Sequence, residues 1–371
     1  MISSKKFISI LTEQGIQFFT GVPDSVLNFF IKDLDYFKKI VHNPTINEGS
    51  AIALATGYYL GTKKIPLVYM QNSGLCNALN PIVSLIDEKV FSIPQLILIG
   101  RRGAPGIKDE PQHAKIGPKT LNLLKSLDLT YYDLTKSSSI SKLEATIKKS
   151  ILMAKKFSKP VFLIVDKNFF EKKKDIKTFQ SRSNLINRIK YIDSLLKIKN
   201  KKNSVFFSSL GNISREIFHL NTINERSHKR FFYAIGGMGH VSNIAIAYKK
   251  FNPKKEVIII DGDGSVQMQV GNLLKISDSK TKILHIIFEN LCHESTGGHA
   301  LGADNLNFQK LFKACGYDEV KKIKSINSFN KEIIKKFMKT KALIVSIRPG
   351  TIANLPRPNI TSKKLKEIFI N

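Results

Sequence analysis

The stretch Val257-Ile258-Ile259-Ile260-Asp261-Gly262-Asp263-Gly264-Ser265 decides how this chain folds. Its four apolar β-branched residues predict a buried parallel strand, which breaks at the Asp-Gly-Asp-Gly turn. Apolar residues spaced along one helix face follow from Val266 to about Ser279, and a second apolar run, 283–288, ends at Glu289-Asn290. The stretch is therefore predicted to form a βαβ unit.

Two polar residues follow the two strands of this unit. The carboxyl ends of neighbouring parallel strands lie at one sheet edge, where open α/β sheets bind ligands, so we expect Asp263 and Asn290 to converge. Their oxygens suit Mg²⁺, which commonly also takes substrate phosphates. Gly262 and Gly264 let the backbone come close to a phosphate, and the helix that starts near Ser265 points its amide donors at it. These residues predict a site for Mg²⁺ and phosphate.

Length and composition indicate two domains. The chain has 371 residues, of which 42% are hydrophobic. Alternating strand and helix patterns predict a doubly wound α/β domain over 1–168, a charged linker over 169–184 and a second domain of like topology over 185–371. No apolar stretch approaches the roughly 20 residues of a membrane span, and the N-terminus lacks a signal-peptide core, so we expect a cytoplasmic protein without a membrane partner. Three scattered cysteines predict free thiols.

The formal net charge is +30, from 59 Lys and Arg against 29 Asp and Glu. A basic surface is the usual footprint of nucleic-acid or anionic-membrane binding. Here the lysines fall in small clusters along nearly the whole chain, without interleaved aromatic residues, which favours compositional bias over a binding surface. We expect no nucleic-acid partner, while the positive field would attract a small polyanionic substrate.

The segment Gly262-Asp263-Gly264, followed about 26 residues later by Asn290, resembles the motif of thiamine diphosphate enzymes. The resemblance implies Mg²⁺ held by Asp263, Asn290 and the backbone carbonyl of Cys292. The family usually has Asn where this chain has Glu289, and often Gly where it has Leu291. The resemblance also implies a pyrimidine-binding domain and a diphosphate-binding domain, without the middle domain that many members insert.

Other segments carry further expectations for the cofactor. Asn47-Glu48-Gly49-Ser50-Ala51 looks like the family segment whose Glu bonds the pyrimidine ring nitrogen, which implies that role for Glu48. In Gly236-Gly237-Met238-Gly239, the resemblance implies that Met238 wedges between the two cofactor rings, and Gly237 permits close approach. Ser209 and Gly211, at the end of another predicted strand, are expected to reach the diphosphate.

Four segments, 20–25, 101–113, 237–240 and 293–298, are similar to those of the phosphonopyruvate decarboxylases within this family. The similarity implies decarboxylation of 3-phosphonopyruvate, a 2-oxo acid, to phosphonoacetaldehyde and CO₂ in phosphonate biosynthesis, by a homo-oligomer with active sites between subunits. Such chemistry needs a proton donor and a cationic clamp for the phosphonate. The candidates for proton transfer are Asp24, His113 and His293, and those for substrate binding are Ser25, Arg101, Arg102, Lys108 and Ser295.

Two alternatives stay open. The first is a decarboxylase of another acidic 2-oxo acid, above all sulfopyruvate, because a sulfonate and a phosphonate differ little in shape. The second is a non-catalytic α/β protein that binds anions or nucleic acid on the same scaffold. The presence of both Glu48 and Asp263 favours an enzyme over this second alternative.

Overall fold

The computed structural model describes residues 1–137, 139–172, 184–199, 201–278, 282–301 and 306–371. It forms two compact units, Met1–Lys177 with Thr296–Gly302, and Thr178–Ser295 with Ala303–Asn371. Each unit contains one six-stranded sheet whose strand pairs are parallel, flanked by helices. The prediction of two doubly wound parallel-sheet domains without a middle domain is confirmed. Most of the predicted linker, 173–183, lies outside the described residues.

The first unit is built from alternating strands and helices. Its strands are β1 Phe18–Gly21, β2 Val41–Pro44, β3 Leu67–Gln71, β4 Leu96–Arg101, β5 Tyr131–Asp133 and β6 Val161–Asp166. Its helices are α1 Ser4–Glu13, α2 Asn28–Leu34, α3 Glu48–Thr62, α4 Leu75–Pro81, α5 Ile116–Ser126 and α6 Ile140–Phe157. The strand order is β2-β1-β3-β4-β6-β5. Along β3, Leu67 and Tyr69 pack in one apolar core and Val68 and Met70 in the other, so the sheet is buried on both faces.

The second unit repeats this plan. The strands of its sheet are β7 Ser204–Ser208, β8 Phe231–Tyr233, β9 Glu256–Gly262, β10 Ile283–Glu289, β13 Glu319–Ile323 and β14 Lys341–Ser346. Two short strands follow β10 along the chain, β11 Cys292–His293 in this unit and β12 His299–Ala300 in the segment assigned to the first unit. The helices are α7 Arg188–Lys199, α8 Asn212–Ile223, α9 Val241–Phe251, α10 Asp263–Met268, α11 Leu274–Asp278, α12 Phe308–Ala314, α13 Ile326–Ile334 and α14 Ser362–Ile370. The sheet order is β13-β14-β10-β9-β7-β8. No helix in the described ranges is long and apolar enough to cross a membrane.

The deciding βαβ unit is present as β9, α10 and β10, with β9 and β10 paired in parallel. The single helix predicted from Val266 onward is wrong, because the chain breaks at Gln269, whose φ is −137° and ψ is 56°. At this break the Gly236–Gly239 loop approaches closely, since a Cβ on Gly239 would lie 2.6 Å from Gln269 Cγ. Asn272 Nδ2 also donates to the Gly239 carbonyl at 2.7 Å. The break therefore provides the surface on which the glycine loop docks.

Candidate active site

Asp263 and Asn290 are in direct contact at the carboxyl ends of β9 and β10. The Asp263 Oδ2 atom accepts hydrogen bonds from the backbone N–H of Asn290 at 2.9 Å and of Leu291 at 2.7 Å, and Oδ1 accepts from Gly264 N at 2.9 Å. Leu291 has a φ of 60°, in the left-handed region that favours glycine. The chain thus forms the tight turn after β10 with Leu at a position whose backbone conformation favours glycine.

The oxygen atoms of this turn fit a hard cation. Asp263 is 3% exposed, and burial raises the pKa of its carboxyl to about 7 despite the three backbone donors, which means that its ionised form lacks a compensating charge. One carboxylate, the Asn290 amide oxygen and the Cys292 carbonyl make an all-oxygen donor set that suits Mg²⁺. Within the described ranges, no group of three His, Cys, Asp or Glu side chains forms a metal site of another kind.

The predicted diphosphate contacts lie at the ends of neighbouring strands. Ser209 directly follows β7, and Gly211 precedes α8. Gly211 has a φ of +89° and Gly237 a φ of +69°, and each has open space where a side chain would begin. Ser265 Oγ accepts from Gly239 N at 3.2 Å, which ties the glycine loop to α10. Met238, within that loop, is half-buried. These positions could accept an anionic group without displacing a side chain.

A buried ionic cluster lies beside Asn290. Glu294 accepts from Asn290 Nδ2 at 3.0 Å, from Asn212 Nδ2 at 2.8 Å, and from the Arg188 guanidinium at 3.2 and 3.3 Å. Arg188 also makes a bidentate pair with Glu216 at 2.7 and 3.0 Å. Burial opposes ionisation of Glu294, but the Arg188 guanidinium prevails and holds the pKa of that carboxyl below its usual range. Sequence reasoning missed Arg188, because no local pattern signals a pairing with Glu294 across 106 residues.

The two other predicted residues of this segment differ in exposure. His293 is 8% exposed, and burial lowers the pKa of its imidazole to about 4, so the ring is neutral at pH 7. A neutral imidazole is a weak proton donor. Ser295 is exposed in the short 3₁₀ turn Glu294–Thr296.

In the first unit, Glu48 opens α3 and is 5% exposed. Asn47 caps the helix by accepting from Gly49 N at 2.8 Å, which fixes the turn that carries Glu48. Asn77 Nδ2 donates to Glu48 Oε2 at 2.9 Å, and a Cβ on Gly74 would lie 2.3 Å from Glu48 Oε1. Burial raises the pKa of the Glu48 carboxyl. Sequence reasoning missed Asn77 and Gly74, which hold this carboxyl in its place.

Asp24 lies at the end of β1, beside the loop that follows β4. It is 1% exposed, its Oδ1 accepts from Val26 N at 2.9 Å and Leu27 N at 3.2 Å, and Oδ2 has no hydrogen-bond partner among the described residues. Burial raises the pKa of this carboxyl to about 7, although the nearby Arg102 opposes the shift. Burial therefore favours the protonated form of Asp24 up to a higher pH than is usual for a carboxyl.

The loop 101–113 folds back on itself around Arg102. The Arg102 guanidinium makes a bidentate pair with Asp109 and donates to Ser25 Oγ at 2.8 Å. Gly103 has a φ of +65°, and a Cβ there would lie 2.5 Å from the His113 carbonyl. Burial, reinforced by Arg102, lowers the pKa of the His113 imidazole. The loop thus places Arg102 against Ser25, next to Asp24, and places His113 near Arg102.

Arg101 and Lys108 are in contrasting positions. The Arg101 guanidinium forms a bidentate pair with Asp166 at 2.6 and 2.7 Å and lies 4.0 Å from the Asp133 carboxylate. The Arg101 side chain is 9% exposed. These contacts join the ends of three neighbouring strands, β4, β6 and β5, so Arg101 stabilises the sheet and we leave it out of the substrate clamp. Lys108 is exposed on the loop.

Comparison with known proteins gives matches to both halves of the chain. Residues 3–121 match the family model described as "Thiamine pyrophosphate enzyme, N-terminal TPP binding domain", and residues 209–347 match the model of the C-terminal TPP binding domain. The chain is 27% identical over 384 residues to a phosphonopyruvate decarboxylase of Streptomyces viridochromogenes. This alignment covers 100% of this chain and 94% of the relative.

Two further relatives are separate subunits. The alpha subunit of sulfopyruvate decarboxylase from Methanococcus maripaludis is 33% identical over 171 residues, covering 46% of this chain and 98% of the subunit. The beta subunit from the same organism is 31% identical over 171 residues, covering 44% of this chain and 85% of the subunit.

Proposed function

The chain belongs to the thiamine pyrophosphate enzyme family, and from that premise we propose that it decarboxylates 3-phosphonopyruvate to phosphonoacetaldehyde and CO₂, using thiamine diphosphate and Mg²⁺. Its relatives support a decarboxylase of the phosphonopyruvate and sulfopyruvate type. The observation that carries the substrate proposal is the position of Asp24, a buried carboxyl whose pKa burial raises to about 7, next to Ser25, to which the Arg102 guanidinium donates.

The cofactor would be held by two sets of residues, which we expect to come from different subunits. Asp263, Asn290 and the Cys292 carbonyl would bind Mg²⁺, and the diphosphate would lie against Ser209, Gly211 and Gly237, with Met238 against the rings. Thiamine diphosphate, when bound, supplies the carbanion that makes loss of CO₂ from a 2-oxo acid possible. Glu48 would hold a proton at the pyrimidine nitrogen, and burial favours that proton because it raises the pKa of the Glu48 carboxyl.

The substrate end of the proposed site needs positive charge and a proton. Three of the five guanidinium N–H donors of Arg102 bond Asp109 and Ser25, which leaves two for a phosphonate oxygen. Lys108 on the same loop would add a second cation, and Ser25 and Ser295 would add hydroxyl donors. After CO₂ leaves, the carbon that carried it must take a proton, and we assign that transfer to Asp24 rather than to the neutral imidazoles of His113 and His293.

Substrate selectivity tests the proposal. We expect kcat/KM to be highest for phosphonopyruvate, intermediate for sulfopyruvate, which carries less charge, and lowest for pyruvate. A charge-assisted contact contributes roughly 1.5–3 kcal/mol, so Arg102→Ala or Lys108→Ala should lower kcat/KM for phosphonopyruvate on the order of 10 to 150-fold and affect pyruvate less. Lys115→Ala, exposed at the start of α5, is the control and should change neither. Equal use of pyruvate by the native protein would contradict the proposal.

The similarity to separate alpha and beta subunits supports sulfopyruvate as the second candidate substrate. A higher kcat/KM for sulfopyruvate than for phosphonopyruvate would establish it.

We also expect a homo-oligomer in which Glu48 and Asp263 of one active site come from different subunits. Glu48→Gln and Asp263→Ala proteins, each inactive alone, should regain part of the activity when mixed, because a hybrid dimer contains one intact site. The controls are each variant mixed with itself, and mass spectrometry to verify subunit exchange. Proven exchange without recovered activity would show that each chain is self-sufficient.

A further inference from the structure

The amide of Asn290 has two ends, and only its oxygen can bind a metal. The Nδ2 end lies 3.0 Å from Glu294 Oε2, while Oδ1 accepts from the backbone N–H of Cys292 at 3.1 Å. An ionised carboxylate can only accept hydrogen bonds, so it fixes which end of the amide is nitrogen. Both contacts require the same orientation, and that orientation keeps Oδ1 on the side of the Cys292 backbone N–H.

Glu294 is itself held in place. The two arms of the Arg188 guanidinium, Asn212 Nδ2 and the backbone N–H of Gly350 converge on the carboxylate, in addition to Asn290. The Arg188 side chain is 4% exposed and the Glu294 side chain 8% exposed. A carboxylate surrounded by so many donors has almost no alternative position, so it can act as a rigid support for a neighbouring side chain.

We propose that Glu294, clamped by Arg188, is a positioning residue that presents the Asn290 amide oxygen to the metal. The inference rests on the proposed function, because it needs Asn290 to be a metal ligand. Partners that orient a metal ligand are commonly worth 10 to 100-fold in metal affinity. Nothing in this role requires Glu294 to touch the cofactor or the substrate.

Glu294→Gln tests the proposal with almost no change in shape. The donors around Glu294 now share two carboxylate oxygens, whereas a glutamine would offer them one oxygen and one NH₂ group. At least one donor would then face an N–H group, and the Asn290 amide would lose its fixed orientation. At saturating thiamine diphosphate, the dissociation constant for Mg²⁺, measured by calorimetric titration rather than by activity, should rise about 10 to 100-fold.

Glu216→Gln is the matched control. Glu216 bonds the same Arg188 guanidinium but, among the described residues, makes no hydrogen bond to Asn290, so this variant weakens the clamp from its other side. Both variants should lower the melting temperature, but Glu216→Gln should leave the Mg²⁺ dissociation constant within about threefold of native. An unchanged constant in Glu294→Gln, or an equal rise in both variants, would overturn the inference.

Asn290→Asp gives a second test, and its first comparison, with the native protein, does not need Glu294→Gln to fold. Aspartate presents oxygen at both ends and is a good Mg²⁺ ligand, yet beside Glu294 it would bring two carboxylates to about 3 Å. We expect Asn290→Asp alone to bind Mg²⁺ at least tenfold more weakly than native, and the double variant with Glu294→Gln to bind at least tenfold more tightly than Asn290→Asp. Tighter binding by the single variant would overturn the inference.

Measurements on the native protein distinguish a failure of the proposed function from a failure of this inference. Native protein without Mg²⁺-dependent binding of thiamine diphosphate would refute the proposed function and this inference with it. Normal native binding that is insensitive to Glu294→Gln would overturn the inference alone.

Discussion

Replacing Asp24 by Asn should make the protein more stable at pH 8 and leave its stability near pH 4 almost unchanged. The Asp24 side chain is buried, and its Oδ2 has no hydrogen-bond partner among the described residues. An Asn at this position keeps an oxygen for the Val26 and Leu27 amides, which Asp24 Oδ1 now bonds. The substitution therefore removes the buried charge and preserves the turn.

The magnitude follows from the shift in pKa. Burial raises the pKa of Asp24 from 3.8 to about 7, a difference of about 3 units, and each unit corresponds to about 1.36 kcal/mol, or about 4 kcal/mol in total. Because folding raises the pKa of this carboxyl, ionisation of Asp24 lowers the free energy of unfolding as the pH rises. The unfolded chain releases the proton first, so the contribution is fully present below pH 3.8 and is lost as the pH rises to about 7. Asn cannot ionise and shows no such loss.

Urea unfolding, followed by circular dichroism at several pH values between 4 and 8, measures the effect. The free energy of unfolding of Asp24→Asn minus that of the native protein should rise by about 4 kcal/mol over this range. Asp128→Asn, at an exposed carboxyl, is the control and should stay within about 0.5 kcal/mol of native. Asp263, whose pKa is also raised to about 7, is common to all three proteins and cancels in the difference. Parallel curves for Asp24→Asn and native would refute the reasoning, and with it the case for Asp24 as a proton donor.

Three further predictions concern other residues of the site. Glu48→Gln should bind thiamine diphosphate yet slow exchange of the thiazolium proton, seen by NMR, and unchanged exchange would exclude the role of Glu48. Gly74→Ala should slow the exchange of the thiazolium proton in the same way while leaving the Glu48 carboxyl chemically intact, because the new Cβ would lie 2.3 Å from Glu48 Oε1. Gly57→Ala, which has open space around it in α3, should not slow the exchange. Arg101→Ala should lower the free energy of unfolding by about 3 kcal/mol, since it leaves Asp166 and Asp133 unpaired, and should not change substrate preference; a stable variant with altered preference would make Arg101 part of the clamp.

The βαβ unit could be predicted from sequence because its signals are local. Four consecutive β-branched residues and the Asp-Gly-Asp-Gly turn specify where β9 ends, and parallel pairing then brings Asp263 to Asn290. The helix after it could not be predicted correctly, because the break at Gln269 depends on the approach of Gly239, a residue 30 positions earlier in the chain. Hydrophobic periodicity indicates which face of a helix is apolar but carries no information about such tertiary contacts.

The partners of the charged residues also could not be predicted from the sequence. The density of charged groups in the loop 101–113 predicts a site, but Arg101 and Arg102 look alike in sequence. Only the fold shows that the first pairs with Asp166, 65 residues away, while the second faces Ser25 near Asp24. Asn77 and Arg188 were missed for the same reason, since each acts on a carboxylate that lies far from it along the chain.

The central claim is tested most directly by following phosphonopyruvate with the purified protein by ³¹P NMR, with measurement of released CO₂. The account predicts phosphonoacetaldehyde and CO₂ in equal amounts, formed only when thiamine diphosphate and Mg²⁺ are both present. Absence of the aldehyde with both present, or an undiminished rate after removal of the metal by a chelator, would contradict it.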